Sequence, residues 1–191
     1  MQQFCDLHAH TTASDGSYTP TQLVSYAQEK GLAALAVTDH ETTGGLTEAL
    51  AWGREIGMKV IPGIELGTRE EGCTIHMVGL FIDPESPALQ ELMDWQMESR
   101  QERNREMIQK LIDLGFQISF EDFEQFQGSL LTRAHIADLL AQRGYGETQK
   151  EVGAKYLDPG CIGYVERKVL PVERCISAIH RAGGLATVAH P

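Results

Sequence analysis

The chain has 191 residues, of which 42% are hydrophobic, and a formal net charge of −11 at pH 7. This length fits one domain, or one domain that carries an insertion. The acidic balance argues against broad capture of nucleic acid, so no binding of duplex DNA is expected. It does not exclude a phosphorylated ligand, because bound cations can make the local field positive. With no transmembrane run and no signal-peptide core, the sequence predicts a cytoplasmic protein without a membrane partner.

Strands and helices alternate in the first part of the sequence. Apolar runs predict four strands, over residues 4–7, 32–37, 58–61 and 74–82. One helix is predicted to begin at Pro20 behind a Thr19 cap and to end at Gly31, and a second covers residues 46–56. This alternation indicates the α/β class with a largely parallel sheet.

The pattern becomes helical in the middle of the chain. We predict helices over residues 86–114, 120–126, 133–142 and 147–156. A helix over 172–182 and a strand over 185–189 then resume the first pattern. We interpret the helical block as an insertion. The predicted parts are an α/β part over residues 1–93, the inserted subdomain over 94–170, and the continued α/β part over 171–191.

The four cysteines are widely spaced and form no CxxC pair. They are Cys5, Cys73, Cys161 and Cys175. This usage favours reduced, mostly buried thiols over disulfide bonds.

Histidines and carboxylates stand at the ends of predicted strands, with no cysteine among them. The candidates are His8, His10, Asp15, Asp39, His40, Glu65, His76 and His190. Residues that follow parallel strands meet at one edge of a sheet, and His8 and His10, two apart on a strand, point to the same face. Unrelated histidines would instead fall mostly on exposed polar segments. Imidazoles and carboxylates together indicate a site for Mn²⁺, Fe²⁺ or Zn²⁺, and the absence of thiolates argues against a structural zinc site.

These segments resemble the motifs of the PHP (polymerase and histidinol phosphatase) superfamily of metal-dependent phosphoesterases. In the family's order they are HAHTTASDG, VTDHETTGG, PGIE, HMVG and VAHP. The segment LTRAHI over residues 131–136 resembles a bacterial branch that hydrolyses nucleoside 3′,5′-bisphosphates and trims short RNA from the 5′ end. The resemblance implies a distorted (β/α)7 barrel with a helical insertion subdomain.

The resemblance also implies up to three divalent ions, with Mn²⁺ preferred and Fe²⁺ or Zn²⁺ as alternatives. It assigns His8, His10 and Glu65 to the first ion, Glu65, His76 and His190 to the second, and Asp15 and His40 to the third. Such ions would activate a water and clamp the attacking and leaving oxygens of a phosphoryl displacement.

Three further residues have two interpretations each. Asp39 either orients the imidazole of a ligand or caps the following helix. Arg133 and His135 either recognise a substrate phosphate, from a cap that folds over the barrel mouth, or form a surface pair.

Family members also carry an Asp-x-His motif well past the AHP segment, and this chain stops at Pro191. We therefore expect the natural protein to be longer and the final strands of the barrel to be absent here. We expect the 191-residue chain to fold at least partly, to hold metal incompletely and to be poorly active.

Three functions remain open at this point. The first is a metal-dependent phosphoesterase, or 5′–3′ exoribonuclease, whose partner is a small phosphorylated nucleotide or short RNA. The second is a phosphatase of another small metabolite, such as histidinol phosphate. The third is a catalytically silent metal-binding module. The helical insertion favours the first, the nearly complete motif set argues against the third, and the sequence leaves the oligomeric state open.

Overall fold

The structure is a computed structural model that describes residues 4–70, 72–126 and 131–191. The chain divides into two compact units, the first formed by residues 1–96 and 169–191 and the second by residues 97–168. Each unit buries an apolar cluster of its own. Among the described helices, none is both long and apolar enough to cross a membrane.

The first unit is built around one five-stranded sheet. The strands are β1 (Cys5–Ala9), β2 (Ala34–Val37), β3 (Val60–Glu70), β4 (Cys73–Leu80) and β5 (Leu185–Val188), hydrogen-bonded in that order. Strands β1, β2 and β3 run parallel, whereas β4 is antiparallel to both β3 and β5. The sheet and its helices therefore form a mixed α/β unit.

Six α-helices are described. The three that lie wholly in the first unit contact the strands of its sheet. The helices are α1 (Pro20–Glu29), α2 (Leu46–Ile56), α3 (Pro87–Asp113), α4 (Arg133–Gln142), α5 (Gln149–Val152) and α6 (Val172–Arg181). A 3₁₀ helix covers Phe120–Phe126 and a π-helical turn covers Gly153–Leu157, so the predicted helix over 147–156 is split. The apolar cluster of the second unit joins α3, α4 and the π-helical turn through Leu111, Ile136, Leu140 and Leu157.

Local signals predicted the helices well. Thr19 caps α1, because its hydroxyl accepts from the Gln22 N–H and the Gln22 side chain accepts from the Thr19 N–H. Gly57 ends α2 with a φ of +75°, a left-handed conformation that glycine adopts without steric cost. The predicted bounds of α2 and α4 are confirmed.

The prediction of a largely parallel sheet is wrong for β4. The third strand was expected to end at residue 61, but β3 continues to Glu70 and pairs with β4 along eight residues of each strand. Only residues 71–72 separate the two strands. A parallel connection needs about a dozen residues or more, so this link can form only an antiparallel hairpin.

All four cysteines are free, as predicted, but only Cys175 is buried. Burial raises the pKa of the Cys175 thiol to about 12, which leaves it protonated and unreactive. Cys5 and Cys73 are exposed because they begin strands β1 and β4, so the expectation of mostly buried thiols is wrong.

Candidate metal centre

One buried carboxylate lies among five histidine side chains. Glu65 is 1% exposed, and each of its carboxylate oxygens faces several imidazole nitrogens. Around Oε2 these are His8 Nε2 at 2.9 Å, His10 Nε2 at 3.1 Å and His40 Nδ1 at 3.4 Å. Around Oε1 they are His76 Nδ1 at 2.7 Å and His190 Nε2 at 3.0 Å.

The five imidazoles form a closed ring around this carboxylate. In the order His8, His10, His40, His76, His190 and back to His8, their ring centroids are 5.1, 4.6, 5.5, 5.2 and 5.5 Å apart. The structure thus brings together all five histidines that the sequence predicted as ligands.

Strand pairing places two of these histidines directly beside Glu65. His40 follows β2 and forms an isolated parallel bridge with Glu65 of β3. On the other side, His76 of β4 pairs with Gly67, two residues beyond Glu65 on the same face of β3.

Irregular backbone accompanies two of the remaining histidines, His8 and His190. The pairing of β1 with β2 shifts register between Asp6 and Ala9, which inserts one extra residue in β1 beside His8. At the end of β5, the Ala189 N–H donates to the carbonyl oxygen of His76 at 2.9 Å. His190 then adopts a φ of +29°, a conformation rare for a non-glycine residue.

Asp15 reaches the same cluster from the loop after β1. Its carboxylate oxygens lie 3.3 Å from His10 Nδ1 and 3.6 Å from His40 Nε2, and its side chain is 67% exposed. The loop turns back at Gly16, where an added Cβ would lie 2.2 Å from the carbonyl oxygen of His10. Only glycine fits this close approach, so Gly16 allows the turn that carries Asp15.

Asp39 has contacts that the sequence did not predict. It is 2% exposed and accepts hydrogen bonds from the Thr11 N–H and hydroxyl, both at 2.7 Å, and from the Ser14 hydroxyl at 2.6 Å. Among the described residues it neither orients an imidazole nor caps α2, which begins after Gly45 without a side-chain cap. Both expectations for Asp39 are therefore corrected, because its carboxylate is used to hold the loop over 11–16.

Sequence reasoning missed Thr11 and Ser14 as part of this site. The hydroxyl-bearing residues between His10 and Asp15 were the available signal, since a buried carboxylate needs nearby donors.

Electrostatics keep Glu65 ionised. Burial by itself would raise the pKa of Glu65, but hydrogen bonds from His8, the charge of His40 and hydrogen bonds from His190 and His76 outweigh it and lower the pKa to about 2. Burial, followed by the neighbouring His40, lowers the pKa of His10. Carboxylate and neutral imidazole are the protonation states that bind metal ions.

The arrangement offers overlapping sets of ligand atoms. Among the described residues, three sets have ligand atoms within 4.8 Å of one another: His8, His10 and Glu65; His10, Asp15 and His40; and His40, Glu65 and His76. His10 Nδ1 is also buried and makes no hydrogen bond within the described part of the chain, although Asp15 Oδ1 lies 3.3 Å from it. Such nitrogen and oxygen sets fit a divalent transition metal ion, and the shared residues fit adjacent ions.

Arg133 and His135 lie in the second unit, at the start of α4. Thr132 caps this helix, with its N–H donating to His135 Nδ1 at 3.2 Å and its hydroxyl accepting from the His135 N–H at 3.3 Å. Arg133 Nη1 lies 3.0 Å from Asp158 Oδ1. Both side chains thus make contacts within the helical unit.

The sequence profile of the PHP domain family matches residues 6–158. The chain is 37% identical to a 5′-3′ exoribonuclease of Haemophilus influenzae, over 100% of this chain and 70% of that protein. It is also 37% identical to a 3′,5′-nucleoside bisphosphate phosphatase of Chromobacterium violaceum, over 97% of this chain and 66% of that protein.

A solved structure agrees with the fold. A Bifidobacterium adolescentis protein assigned to the metal-dependent phosphoesterases has a TM-score of 0.77 and 30% identity, over 100% of this chain and 68% of that one. The chain spans about two thirds of the length of the curated relatives that it matches. Its mixed α/β sheet is consistent with a PHP barrel, and with most of its length matched by the profile, the chain belongs to the PHP domain family.

Proposed function

We propose that this protein is a metal-dependent phosphoesterase that hydrolyses phosphate esters of small nucleotides, such as nucleoside 3′,5′-bisphosphates, and trims short RNA from the 5′ end. The observation that carries the proposal is the Glu65 carboxylate surrounded by five imidazoles. The exoribonuclease and bisphosphate phosphatase among the relatives support the substrate class.

The same residues serve as the ligands in this proposal. His8, His10 and Glu65 hold a first ion, Glu65, His76 and His190 a second, and Asp15 and His40 a third, with Mn²⁺ preferred over Fe²⁺ or Zn²⁺. When bound, the ions would polarise the phosphoryl group and activate water near neutral pH. Glu65 supplies the charge that the sets of the first and second ions share, because each of its two oxygens faces a different group of imidazoles.

Asp39 acts in this proposal as a positioning residue. Its three hydrogen bonds from Thr11 and Ser14 hold the loop that presents Asp15 to His10 and His40. An exposed carboxylate such as Asp15 depends on this support, since an unrestrained loop would move it away from the imidazoles.

The helical unit contributes to substrate recognition in this proposal. We assign to it the role of an inserted subdomain in which Arg133 and His135 bind a phosphate group of the substrate. A guanidinium matches the geometry of a phosphate and forms charge-assisted hydrogen bonds with it.

Metal content provides the first test. We expect Glu65→Gln and His8→Ala to weaken Mn²⁺ binding at least about 10-fold, because loss of even an outer partner of a metal ligand can cost that much. His180→Ala, which alters an exposed histidine of α6, is the control and should bind as the wild type does. Calorimetric titration of metal-free protein measures the affinity. Equal affinities in all four proteins would contradict the ligand assignment.

The pH dependence of metal binding follows from the same groups. Protons compete with metal for imidazole nitrogens, so the affinity for Mn²⁺ should fall as the pH is lowered from about 7.5 to about 5.5. The lowered pKa of His10 delays its own protonation to more acid pH. Glu65, with a pKa of about 2, stays ionised throughout and adds nothing to the change. Titration at a series of pH values measures this, and a constant affinity would exclude histidine ligands.

Turnover of a substrate panel tests the proposed reaction. The Mn²⁺-loaded chain should release phosphate from a nucleoside 3′,5′-bisphosphate and nucleotides from a 5′-phosphorylated short RNA. It should hydrolyse histidinol phosphate less efficiently. Glu65→Gln should lower kcat/KM by about 100-fold or more, because it weakens the sets of both the first and the second ion, while His180→Ala should not. A preference for histidinol phosphate, or no turnover with the metal bound, would overturn the proposal.

Variants of Arg133 and Asp158 distinguish recognition of a substrate phosphate from a purely structural ion pair. Arg133→Ala should lower kcat/KM for the bisphosphate by about 10- to 100-fold, from the loss of a charge-assisted hydrogen bond worth about 1.5–3 kcal/mol. Its effect on p-nitrophenyl phosphate should be small. Asp158→Ala removes the same ion pair but leaves the guanidinium, so it should retain activity on the bisphosphate. Equal losses in the two variants would indicate a purely structural pair.

A further inference from the structure

Two exposed tyrosines stack on each other at the surface of the first unit. The ring centroids of Tyr18 and Tyr26 are 5.5 Å apart, and the ring planes differ by 25°. Tyr18 is 44% exposed and Tyr26 is 42% exposed, and neither ring belongs to the buried apolar cluster of this unit. The pair therefore presents aromatic surface to solvent outside the core.

The backbone ties Tyr18 to the loop of the candidate metal centre. The Tyr18 carbonyl oxygen accepts from the Thr12 N–H at 2.8 Å, which closes the loop that carries Asp15. On its other side Tyr18 precedes Thr19, which is fixed as the cap of α1. Tyr18 is three residues from Asp15, and three residues of chain span at most about 11 Å. A rigid aromatic side chain thus stands close to a predicted metal ligand.

A lysine adds positive charge to the stack. Lys30 follows α1 and lies one turn beyond Tyr26, so the two side chains share one face of the helix. The Lys30 ammonium is 5.0 Å from the centroid of the Tyr26 ring, and the side chain is exposed. We call Tyr18, Tyr26 and Lys30 the tyrosine patch.

The chemistry of the tyrosine patch suits single-stranded nucleic acid. Every base has a π face that stacks on a tyrosine ring, and the phosphates between bases attract an ammonium. A purely apolar partner would cover Lys30 and desolvate its charge without a compensating group. A duplex, in turn, hides the faces of its bases in its own stack. A single strand is therefore the ligand that uses both the rings and the charge.

We propose that the tyrosine patch is a stacking subsite for single-stranded RNA and binds a base downstream of the nucleotide at the metal centre. The inference rests on the proposed function, because the 5′ end of the same RNA is taken to lie at the metal ions. A mononucleotide bound there leaves the patch empty, whereas a longer RNA extends to it. The patch thereby makes turnover depend on the length of the RNA.

RNA binding to metal-free protein tests the patch separately from the reaction. The probe is an adenosine pentanucleotide with a 5′-hydroxyl and a 3′ fluorophore, and anisotropy measures its affinity. Tyr18→Leu should weaken binding by about 5- to 150-fold, the range for loss of one stack between a base and an aromatic ring. Tyr18→Phe keeps the ring and should bind as the wild type does. Phe4→Leu is the matched control, at an exposed aromatic residue beyond the opposite end of β1.

Salt dependence isolates the contribution of Lys30. Loss of one phosphate contact on a single strand lowers the slope of the logarithm of affinity against the logarithm of salt concentration by about 0.7. Lys30→Gln should show this smaller slope. The loss of affinity in Tyr18→Leu should instead be the same at every salt concentration, because stacking involves no counterion.

Turnover with Mn²⁺ provides a second test. The wild type should hydrolyse a 5′-phosphorylated pentanucleotide with a higher kcat/KM than the matching dinucleotide. Tyr18→Leu should remove this difference through a higher KM for the longer RNA. Its turnover of a nucleoside 3′,5′-bisphosphate should equal that of the wild type, because this substrate does not extend to the patch.

The proposal is overturned if the wild type fails to bind the pentanucleotide, if Tyr18→Leu binds it as tightly as the wild type, or if Phe4→Leu loses affinity equally. Binding that depends on Tyr18, with no turnover by the metal-loaded wild type, would instead refute the proposed function and leave the stacking subsite in place.

Discussion

The buried charge of Glu65 constrains everything around it. A carboxylate that is 1% exposed loses its hydration and persists only with compensating partners. Five imidazoles supply these partners. Burial by itself would raise the pKa of Glu65, but His8, His40, His190 and His76 lower it to about 2. The residues nearest to this charge are therefore also those best suited to hold metal cations.

The topology of the sheet makes this convergence possible. Parallel pairing brings the ends of β1 and β2 beside the middle of β3, and there His10, His40 and Glu65 meet. The hairpin then returns β4 against β3, and β5 pairs with β4, which adds His76 and His190 from the other side. A purely parallel sheet would have required a crossover between Glu65 and His76 that eleven positions of separation do not allow.

Charge is distributed unevenly in this chain, so its net value is a poor guide to its ligands. The total of −11 coexists with a concentration of imidazoles in the α/β unit. Each unit has its own buried apolar cluster. A bound ligand interacts mainly with charges a few ångströms away. The effect of the net charge reaches further, and salt screens it over those longer distances.

Part of the fold and of the candidate site could be predicted from the sequence alone. The Thr19 cap, the Gly57 stop and the spacing of His8 and His10 act within a few residues, so the helices, the family and the histidines of the candidate centre could be predicted before the fold was known. The direction of β4, the length of β3 and the partners of Asp39 could not. Each of these depends on strand pairing or on side-chain contacts between separate segments, and such contacts exist only once the chain has folded.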